Sequence, residues 1–310
     1  MISFIIPSFN QGNFIKESID SILFLMEKDD QLIIQDGGST DHTAQIVSDY
    51  LLDKRIEWYC EKDSGFSEAI ERALSRAKHM IIGIQSSDDA YCKLSDLRLT
   101  VLKSLSSSDV VGVYANYEHI AEDGKHLGVW MHRNGSLNDF MTLRVILPQS
   151  SFFFKKSALK GKSILNIKYD YVADVVLFNQ ISQAGKVLYI NEIWSKVRIQ
   201  PGCRTGKKNP GHQYLLALND GVFGQLTQDL LRSSIAAAYI LSARYEASSG
   251  YRFLALHSVL KALSLDLSII SHKILFKSMN YILIGPSGVE FFKKIIGNLL
   301  EIFKKRIFQN

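Results

Sequence analysis

Short apolar runs alternate with helical patterns through the first 90 residues of the chain. Ile2 to Ile6 predicts a strand, and the spacing of Ile15, Ile19 and Ile22 predicts the helix that follows. Further strands are predicted at residues 31–35, 56–60 and 80–85, separated by helical segments. This alternation indicates an α/β fold with a mixed, mostly parallel sheet, helices on both faces and ligand sites at the carboxyl ends of the strands.

The next hundred residues favour strands and turns. Glu122-Asp-Gly124 is typical of a hairpin turn between two strands within residues 109–130. The run Phe152-Phe-Phe154 predicts a buried strand rather than a sugar-stacking surface, because consecutive aromatic residues face both sides of a sheet. A helix over 173–184 and a strand over 186–190 are predicted after it.

We divide the chain into a predicted α/β domain, residues 1–210, and a helical region, residues 211–310, joined through the Gly- and Lys-rich segment 201–210. The first 210 residues carry 25 basic and 25 acidic side chains, whereas the remainder carries 11 basic and 6 acidic ones. The basic excess predicts either an anionic partner for the helical region or a solvated basic face. The balanced α/β half argues against a nucleic-acid-binding protein.

The cysteines and the first residues restrict the class of protein further. Cys60, Cys92 and Cys203 lie far apart without a Cys-x-x-Cys pair, which excludes a disulfide framework or a zinc knuckle. The first residues lack the basic segment and cleavage site of a secretion signal. No apolar run reaches the roughly 18 residues of a spanning helix. We expect a cytoplasmic protein, with a peripheral position at the inner face of the cell membrane as an option.

Acidic side chains follow three of the predicted strands. Asp36 follows the second strand, Asp63 the third, and Asp88-Asp89 the fourth. Taken singly, each is better explained as a residue of a turn, loop or helix cap. Together they line one crevice of a parallel sheet, where oxygen ligands suit Mg²⁺ or Mn²⁺ beside a diphosphate.

Over about residues 1–205, the sequence resembles the inverting family 2 glycosyltransferases of the GT-A fold. The resemblance rests on several motifs in the same order, each weak alone. They are Ile5-Ile-Pro-Ser-Phe-Asn-Gln-Gly12, Gln35-Asp-Gly-Gly-Ser-Thr-Asp41, Asp63-Ser-Gly65, Ser67-Glu-Ala-Ile70, Ile82-Gly-Ile-Gln-Ser-Ser-Asp-Asp89, Pro148-Gln-Ser-Ser-Phe-Phe-Phe-Lys155, Ala173-Asp174 and Val197-Arg198.

The resemblance implies transfer of a sugar from a nucleotide diphosphate donor, preferably a uridine diphosphate sugar, to a growing, lipid-linked bacterial glycan such as O-antigen. It implies Mn²⁺ or Mg²⁺ bound by Asp88 and Asp89, and Gln149 on the acceptor side. It implies Asp174 as the general base, with Asp170 as the competing candidate. The donor residues it implies are Pro7, Ser8, Asn10, Asp36, Gly37, Asp63, Gly65, Ser87, Asp88 and Arg198.

The chain also departs from the family pattern. Gln200 stands where the family often has a histidine, which puts metal dependence in question. His212 in the following segment either substitutes for it or is an exposed loop residue. Arg204, Lys207 and Lys208 either neutralise the diphosphate or form a plain basic linker.

Two rival functions and one further partner remain open from the sequence. A degenerate nucleotide-sugar-binding module is consistent with the missing histidine. A nucleotidyltransferase would need a basic Gly-rich loop near the N-terminus, and no basic residue precedes Lys16.

Apolar and basic residues of 289–306 fall on adjoining faces of a predicted helix, which favours either an anionic membrane surface or packing on protein.

Overall fold

The computed structural model describes residues 1–159, 167–200 and 208–271, together with the single positions 275, 279 and 282. The chain forms two compact units. The first comprises Met1–Met141 and Val145–Thr205, and the second comprises Thr142–Arg144 and Gly206–Asn310. The predicted tail helix at 289–306 lies outside the described residues, as do Cys203, Arg204 and Lys207.

The first unit is built on a nine-stranded sheet. Its strands are β1 (Ile2–Ser8), β2 (Gln31–Asp36), β3 (Ile56–Cys60), β4 (Ile81–Ile84), β5 (Ala90–Tyr91), β6 (Val110–Ala121), β7 (His126–Trp130), β8 (Phe152–Lys155) and β9 (Lys186–Ile199). Its helices are α1 (Ile15–Leu25), α2 (Thr43–Ser48), α3 (Phe66–Arg76), α4 (Leu97–Ser104), α5 (Leu137–Met141) and α6 (Ala173–Ser182). Short 3₁₀ helices occupy Gln149–Ser151, Lys156–Leu159 and Ile167–Val172.

The sheet is mixed, with the order β3-β2-β1-β4-β8-β6-β9-β5, and β7 pairs with β6. The four strands β3, β2, β1 and β4 are parallel to one another. Of the described pairs beyond β4, the β6–β9 pair is parallel and the others are antiparallel. A mixed sheet flanked by helices confirms the predicted α/β fold, and the parallel arrangement predicted from the first 90 residues is found in this half of the sheet.

Both faces of the parallel half are covered by helices. Every residue of β1 is buried, and its side chains alternate between two apolar clusters. Phe4 packs in the cluster that includes Ile19 of α1, whereas Ile5 packs in the cluster that includes Ile70 of α3. Burial on both faces explains why these strands are continuous apolar runs in the sequence.

A buried carboxylate fixes the amino end of β1. Asp30 accepts the Ile2 N–H at 2.7 Å and the Glu27 N–H at 2.9 Å, and it pairs with Arg98 at 2.9 Å. Burial alone would raise the pKa of Asp30, but hydrogen bonds from Arg98 and the two backbone N–H groups outweigh it and hold this pKa below its usual range. The ionised carboxylate therefore links β1, β2 and α4.

The predicted core strand at Phe152-Phe-Phe154 is confirmed, since all three rings are fully buried in β8. The predicted end of the strand at 186–190 was wrong. Strand β9 continues to Ile199, because register shifts around Asn116 let it stay paired with β6 past the polar pair Asn191-Glu192.

The second unit is helical. It contains α7 (Pro210–Asn219), α8 (Gln228–Ser248), α9 (Arg252–Leu265) and a 3₁₀ helix, Leu267–Ser271. Asn209 caps α7 by accepting the His212 N–H at 3.1 Å, and a Cβ at Gly211 would lie 2.3 Å from the Ala238 carbonyl, so α7 and α8 approach closely. None of the described helices combines the length and hydropathy required to cross a bilayer.

Candidate active site

The carboxyl ends of β1 and β2 form one edge of the candidate site. Ser8 ends β1 and is paired with Asp36 at the end of β2, and the Gly37 N–H donates to the Ser8 carbonyl at 2.9 Å. Because β1 also pairs with β4, the loop that carries Ser87 and Asp88 starts beside these two ends. The sheet thus gathers the strand ends at which the sequence predicts a ligand.

Asp36 is buried and only half satisfied. Its Oδ1 accepts the N–H groups of Gly38 at 2.9 Å and Ser39 at 2.7 Å, which tightens the turn after β2. Its Oδ2 is buried, and no hydrogen-bond partner for it is found in the described part of the chain. A buried polar atom of this kind is usually satisfied, so Asp36 presents an acceptor for a donor group of a ligand.

Asn10 and Pro7 shape the loop after β1. Pro7 is buried within the strand opposite Gln35. Asn10 adopts a positive φ of 53°, a conformation that asparagine tolerates. Its Oδ1 accepts the Thr40 N–H at 2.8 Å, and its own N–H donates to Ser39 Oγ at 2.8 Å. Asn10 therefore fastens the loops after β1 and β2 together, and its contact with a nucleotide stays a prediction.

Asp63 lies against the glycine turn that follows Asp36. A Cβ at Gly37 would stand 2.9 Å from Asp63 Oδ2, so any side chain at this position would have to displace the carboxylate. Burial raises the pKa of Asp63, and the negative charges of Glu68 and Asp170 add to that effect, while the Gly65 N–H donates to Asp63 Oδ1 at 3.0 Å. The structure thus brings Asp36, Gly37 and Asp63 together, as the sequence predicts.

The two candidates for a general base occupy different places. Asp170 Oδ1 accepts the Ser67 N–H at 2.7 Å in the first turn of α3, and a Cβ at Gly65 would lie 3.0 Å from Asp170 Oδ2. Asp170 therefore serves the start of α3, where a carboxylate is favoured by the helix dipole. Asp174 lies in the first turn of α6 and is half-buried. Its role as the base stays a prediction.

The two carboxylates of the acidic pair after β4 differ in burial. Asp88 is half-buried, and Gln200 Nε2 donates to its Oδ2 at 2.8 Å. Asp89 is buried, its Oδ1 accepts the Arg198 N–H at 2.9 Å, and burial together with the Asp88 charge raises its pKa well above the usual range. Within the described ranges no three His, Cys, Asp or Glu side chains cluster as a metal site.

Arg198 is a buried scaffold residue with several internal contacts. Its Nε donates to the Asp88 carbonyl at 3.0 Å, and its Nη1 donates to the carbonyls of Ala121 at 3.2 Å and Glu122 at 2.8 Å. Nη2 donates to Glu17 of α1. The guanidinium thus joins the Asp88 loop to the β6–β7 turn and α1. Sequence reasoning missed these contacts, and a contact of Arg198 with the donor stays a prediction.

Gln149 stands at the start of the 3₁₀ helix before β8, and its Nε2 donates to Ser86 Oγ at 2.9 Å. It therefore contacts the same loop that carries Ser87, Asp88 and Asp89. His212, the proposed substitute for the missing histidine, is an exposed residue of α7 in the second unit.

The amino-acid sequence is similar to those of known glycosyltransferases. The family model for glycosyl transferase family 2 matches residues 3–164, which is more than half of the chain. The chain is 25% identical over 214 residues to a chondroitin synthase of Pasteurella multocida, covering 67% of this chain and 22% of that protein. It is 31% identical over 139 residues to a putative teichuronic acid biosynthesis glycosyltransferase, TuaG, of Bacillus subtilis, covering 44% and 54%. The chain therefore spans about a fifth of the first of these relatives and about half of the second.

Solved structures agree at the level of the fold. S. aureus TarS 1–349 in complex with UDP-GlcNAc superposes with a TM-score of 0.65 at 14% identity, covering 93% of this chain and 91% of that chain. A mannosyltransferase from Pyrobaculum calidifontis, in complex with GDP-Man and Mn²⁺, gives a TM-score of 0.57 at 15% identity, covering 91% and 86%.

Proposed function

Because the chain belongs to glycosyl transferase family 2, we propose that it transfers a sugar from a uridine diphosphate donor to a hydroxyl group of a growing glycan. The reaction inverts the anomeric carbon in a single displacement, and the acceptor is a lipid-linked bacterial polysaccharide. Structures of similar fold contain UDP-GlcNAc or GDP-Man, and similar proteins are named for chondroitin and teichuronic acid synthesis.

The observation that carries this proposal is the buried Oδ2 of Asp36. An unsatisfied acceptor costs on the order of 1–3 kcal/mol, which a donor group of the ligand would recover. The N3–H of uracil or a ribose hydroxyl is such a donor. Ser8 Oγ, at the paired end of β1, is likewise buried without a hydrogen-bond partner among the described residues. Two orphaned polar atoms at adjoining strand ends favour a polar ligand in this crevice.

A divalent cation suits the residues of the loop after β4. Asp88 offers a half-buried carboxylate, and the adjacent buried carboxylate of Asp89 is costly to ionise unless a positive charge offsets it. Mg²⁺ is commonly held by one or two carboxylates together with substrate phosphates, so a third acidic side chain is unnecessary. We propose that Asp88 and Asp89 hold Mn²⁺ or Mg²⁺. When bound, such an ion would stabilise the charge on the departing diphosphate.

Asp174 is the proposed base. The acceptor hydroxyl must lose a proton as it attacks the anomeric carbon, and a carboxylate can accept that proton when it lies within hydrogen-bond reach. Asp174 is chosen over Asp170 because Ala173-Asp174 matches the motif position of the base in family 2 enzymes. Gln149, which contacts the Asp88 loop through Ser86, is proposed to face the acceptor.

Calorimetric titration with uridine, guanosine and thymidine diphosphates, each with and without Mn²⁺, tests the donor site. Asp36→Asn is expected to weaken binding of uridine diphosphate by about tenfold or more, since a hydrogen bond to a charged group is lost. Asp29→Asn is the matched control, because Asp29 is exposed and lies just before the opposite end of β2. Failure of every nucleotide to bind would refute the transferase proposal.

A second measurement separates binding from chemistry. Asp174→Asn should retain the affinity for uridine diphosphate and lose transfer, because only proton removal is affected. The base assignment is wrong if this variant keeps normal turnover. Asp170→Asn serves for comparison, and its expected effect is a weakened start of α3 rather than a selective loss of turnover.

A further inference from the structure

Helix α9 packs against α8 through a side of mainly small residues. Its buried residues are Ala255, Ser258, Val259 and Ala262. Ser258 Oγ donates to the buried carboxylate of Glu246 in α8 at 2.8 Å. Most other residues of α9 are apolar as well, and a helix that is apolar all round is normally covered all round. The side of α9 that faces away from α8 therefore requires a second apolar partner.

This other side of α9 carries large apolar side chains that are open to solvent. Phe253, Leu256 and Leu260 have the spacing i, i+3 and i+7 of one helix face, and they are 92%, 39% and 58% exposed. Leu267, in the 3₁₀ helix that follows, is 71% exposed. We call Phe253, Leu256 and Leu260 the α9 stripe. A single exposed apolar residue needs no explanation, but a row of three on one helix face marks an interaction surface.

Cations flank the α9 stripe on both sides. Because successive residues of a helix are rotated by about 100°, Arg252 lies on one side of the stripe and Lys261 on the other, and both are exposed. Neither of them forms an ion pair within the described part of the chain, and α9 contains no acidic residue. An apolar row with basic residues along both edges is typical of a helix that lies in the plane of an anionic bilayer surface.

Charge argues against the two partners that this chain itself could supply. In a two-fold contact between copies the same face meets itself, so the cations of one α9 would lie close to those of the other. Residues 272–310 contain seven Lys or Arg and two Glu, so their net charge does not complement α9 either. An anionic lipid surface attracts Arg252 and Lys261 and covers the apolar side chains between them.

We propose that the α9 stripe inserts into the headgroup region of an anionic lipid bilayer, with Arg252 and Lys261 contacting the lipid phosphates. This surface is separate from residues 289–306, and the inference does not depend on the proposed transferase function. One short helix gives only weak binding, and stable attachment to a membrane takes two signals. The α9 stripe supplies the apolar signal and the basic segment 289–306 the electrostatic one, so both are required.

Flotation of the 310-residue chain with lipid vesicles tests the proposal. The probes are vesicles of phosphatidylcholine with about one third phosphatidylglycerol, and vesicles of phosphatidylcholine alone. Phe253→Gln combined with Leu260→Gln should lower binding to the anionic vesicles about tenfold or more, since two large side chains no longer leave water. Arg252→Gln combined with Lys261→Gln should lower it to the level of the uncharged vesicles. Leu52→Gln is the matched control, because Leu52 is 91% exposed in the first unit, and it should bind as the wild type does.

Phe253→Trp reports insertion directly. With anionic vesicles its added fluorescence should shift to the blue and be quenched by brominated lipids, whereas that of Leu52→Trp should not. Circular dichroism confirms that each variant keeps its helices. The proposal is overturned if the variant at Phe253 and Leu260 floats like the wild type, or if Leu52→Gln loses as much binding. It is also overturned if the wild type does not float, and a dimer that the variant at Phe253 and Leu260 dissociates in sedimentation would then assign the α9 stripe to contact between copies.

Discussion

Substitution of Arg198 by lysine is the sharpest test of how the Asp88 loop is held. Lysine keeps the positive charge but replaces a planar group of five N–H donors by one ammonium. The Arg198 guanidinium donates to the carbonyls of Asp88, Ala121 and Glu122, and its side chain is 3% exposed. A lysine at this position reaches at most one or two of these carbonyls.

The expected cost follows from which contacts are lost. A hydrogen bond from a charged donor contributes about 1.5–3 kcal/mol, and a carbonyl that reaches water after the loss recovers part of it. Glu122 is exposed, so its carbonyl can be hydrated, whereas Asp88 and Ala121 are half-buried and their carbonyls reach water less easily. The Glu17 side chain is 52% exposed, so its ion pair with Arg198 contributes little. We expect Arg198→Lys to lower the free energy of unfolding by about 3 kcal/mol.

Urea unfolding followed by circular dichroism measures this change, with Glu17→Gln as the control, for which a loss below about 1 kcal/mol is expected. Affinity for uridine diphosphate should fall in parallel, because the Asp88 loop loses its support. The reasoning is refuted if Arg198→Lys is as stable as the wild type, or if Glu17→Gln destabilises the protein equally. Equal losses would mean that the ion pair, and not the carbonyl contacts, holds the loop.

Three further predictions concern other parts of the chain. The folded-state pKa of Asp30 is lowered, so its contribution to stability is present above the unfolded pKa of about 3.9 and is lost as pH falls through the folded value. Asp30→Asn should therefore lower the free energy of unfolding at pH 7 and make stability fall less steeply at acid pH. An unchanged fall in stability at acid pH would contradict this. Deletion of residues 289–310 should abolish binding to anionic vesicles in a flotation assay, and undiminished binding would remove the membrane role of this segment. Gln200→His should raise affinity for Mn²⁺ and leave Mg²⁺ affinity nearly unchanged, as Mn²⁺ electron paramagnetic resonance can measure.

The strands β1, β2 and β4 were predictable because they are largely buried on both faces and contain apolar runs. The predicted strand at 56–60 has the boundaries of β3, an edge strand in which Ile56 is buried. The lengths and pairing of the strands beyond β4 were harder to predict. Whether β8 inserts between β4 and β6, and how far β9 stays paired, depends on contacts between residues distant in sequence. Local composition carries no signal for such contacts.

The positions of the candidate site residues were predictable to the same extent. Asp36 ends β2, and Asp63 and Asp88 lie in the loops after β3 and β4, where strand ends meet in a parallel sheet. The contacts of Arg198 were not predictable, since its partner Glu17 lies 181 residues away. The pairing of Tyr117 with Trp130 in the β6–β7 hairpin depends on a register shift between His119 and Ile120. A hairpin without that shift would pair Tyr117 with Val129, and Trp130 would point to the other face.

Gln200 stands where the family often has a histidine, and this difference bears on which metal ion the site prefers. The resemblance to family 2 enzymes predicts an imidazole at this position, and the structure shows a carboxamide that donates to Asp88 at 2.8 Å. With an amide N–H donor at position 200, the two carboxylates and the diphosphate would form an all-oxygen donor set, which Mg²⁺ accepts as readily as Mn²⁺, whereas an imidazole favours transition metals. The wild type should therefore discriminate weakly between the two ions, and Gln200→His should increase the preference for Mn²⁺, with Gln200→Asn as the control that keeps the amide. If Gln200→His leaves the affinity for both ions unchanged, the carboxamide serves only to orient Asp88, and selection of the metal depends on the carboxylates and the diphosphate.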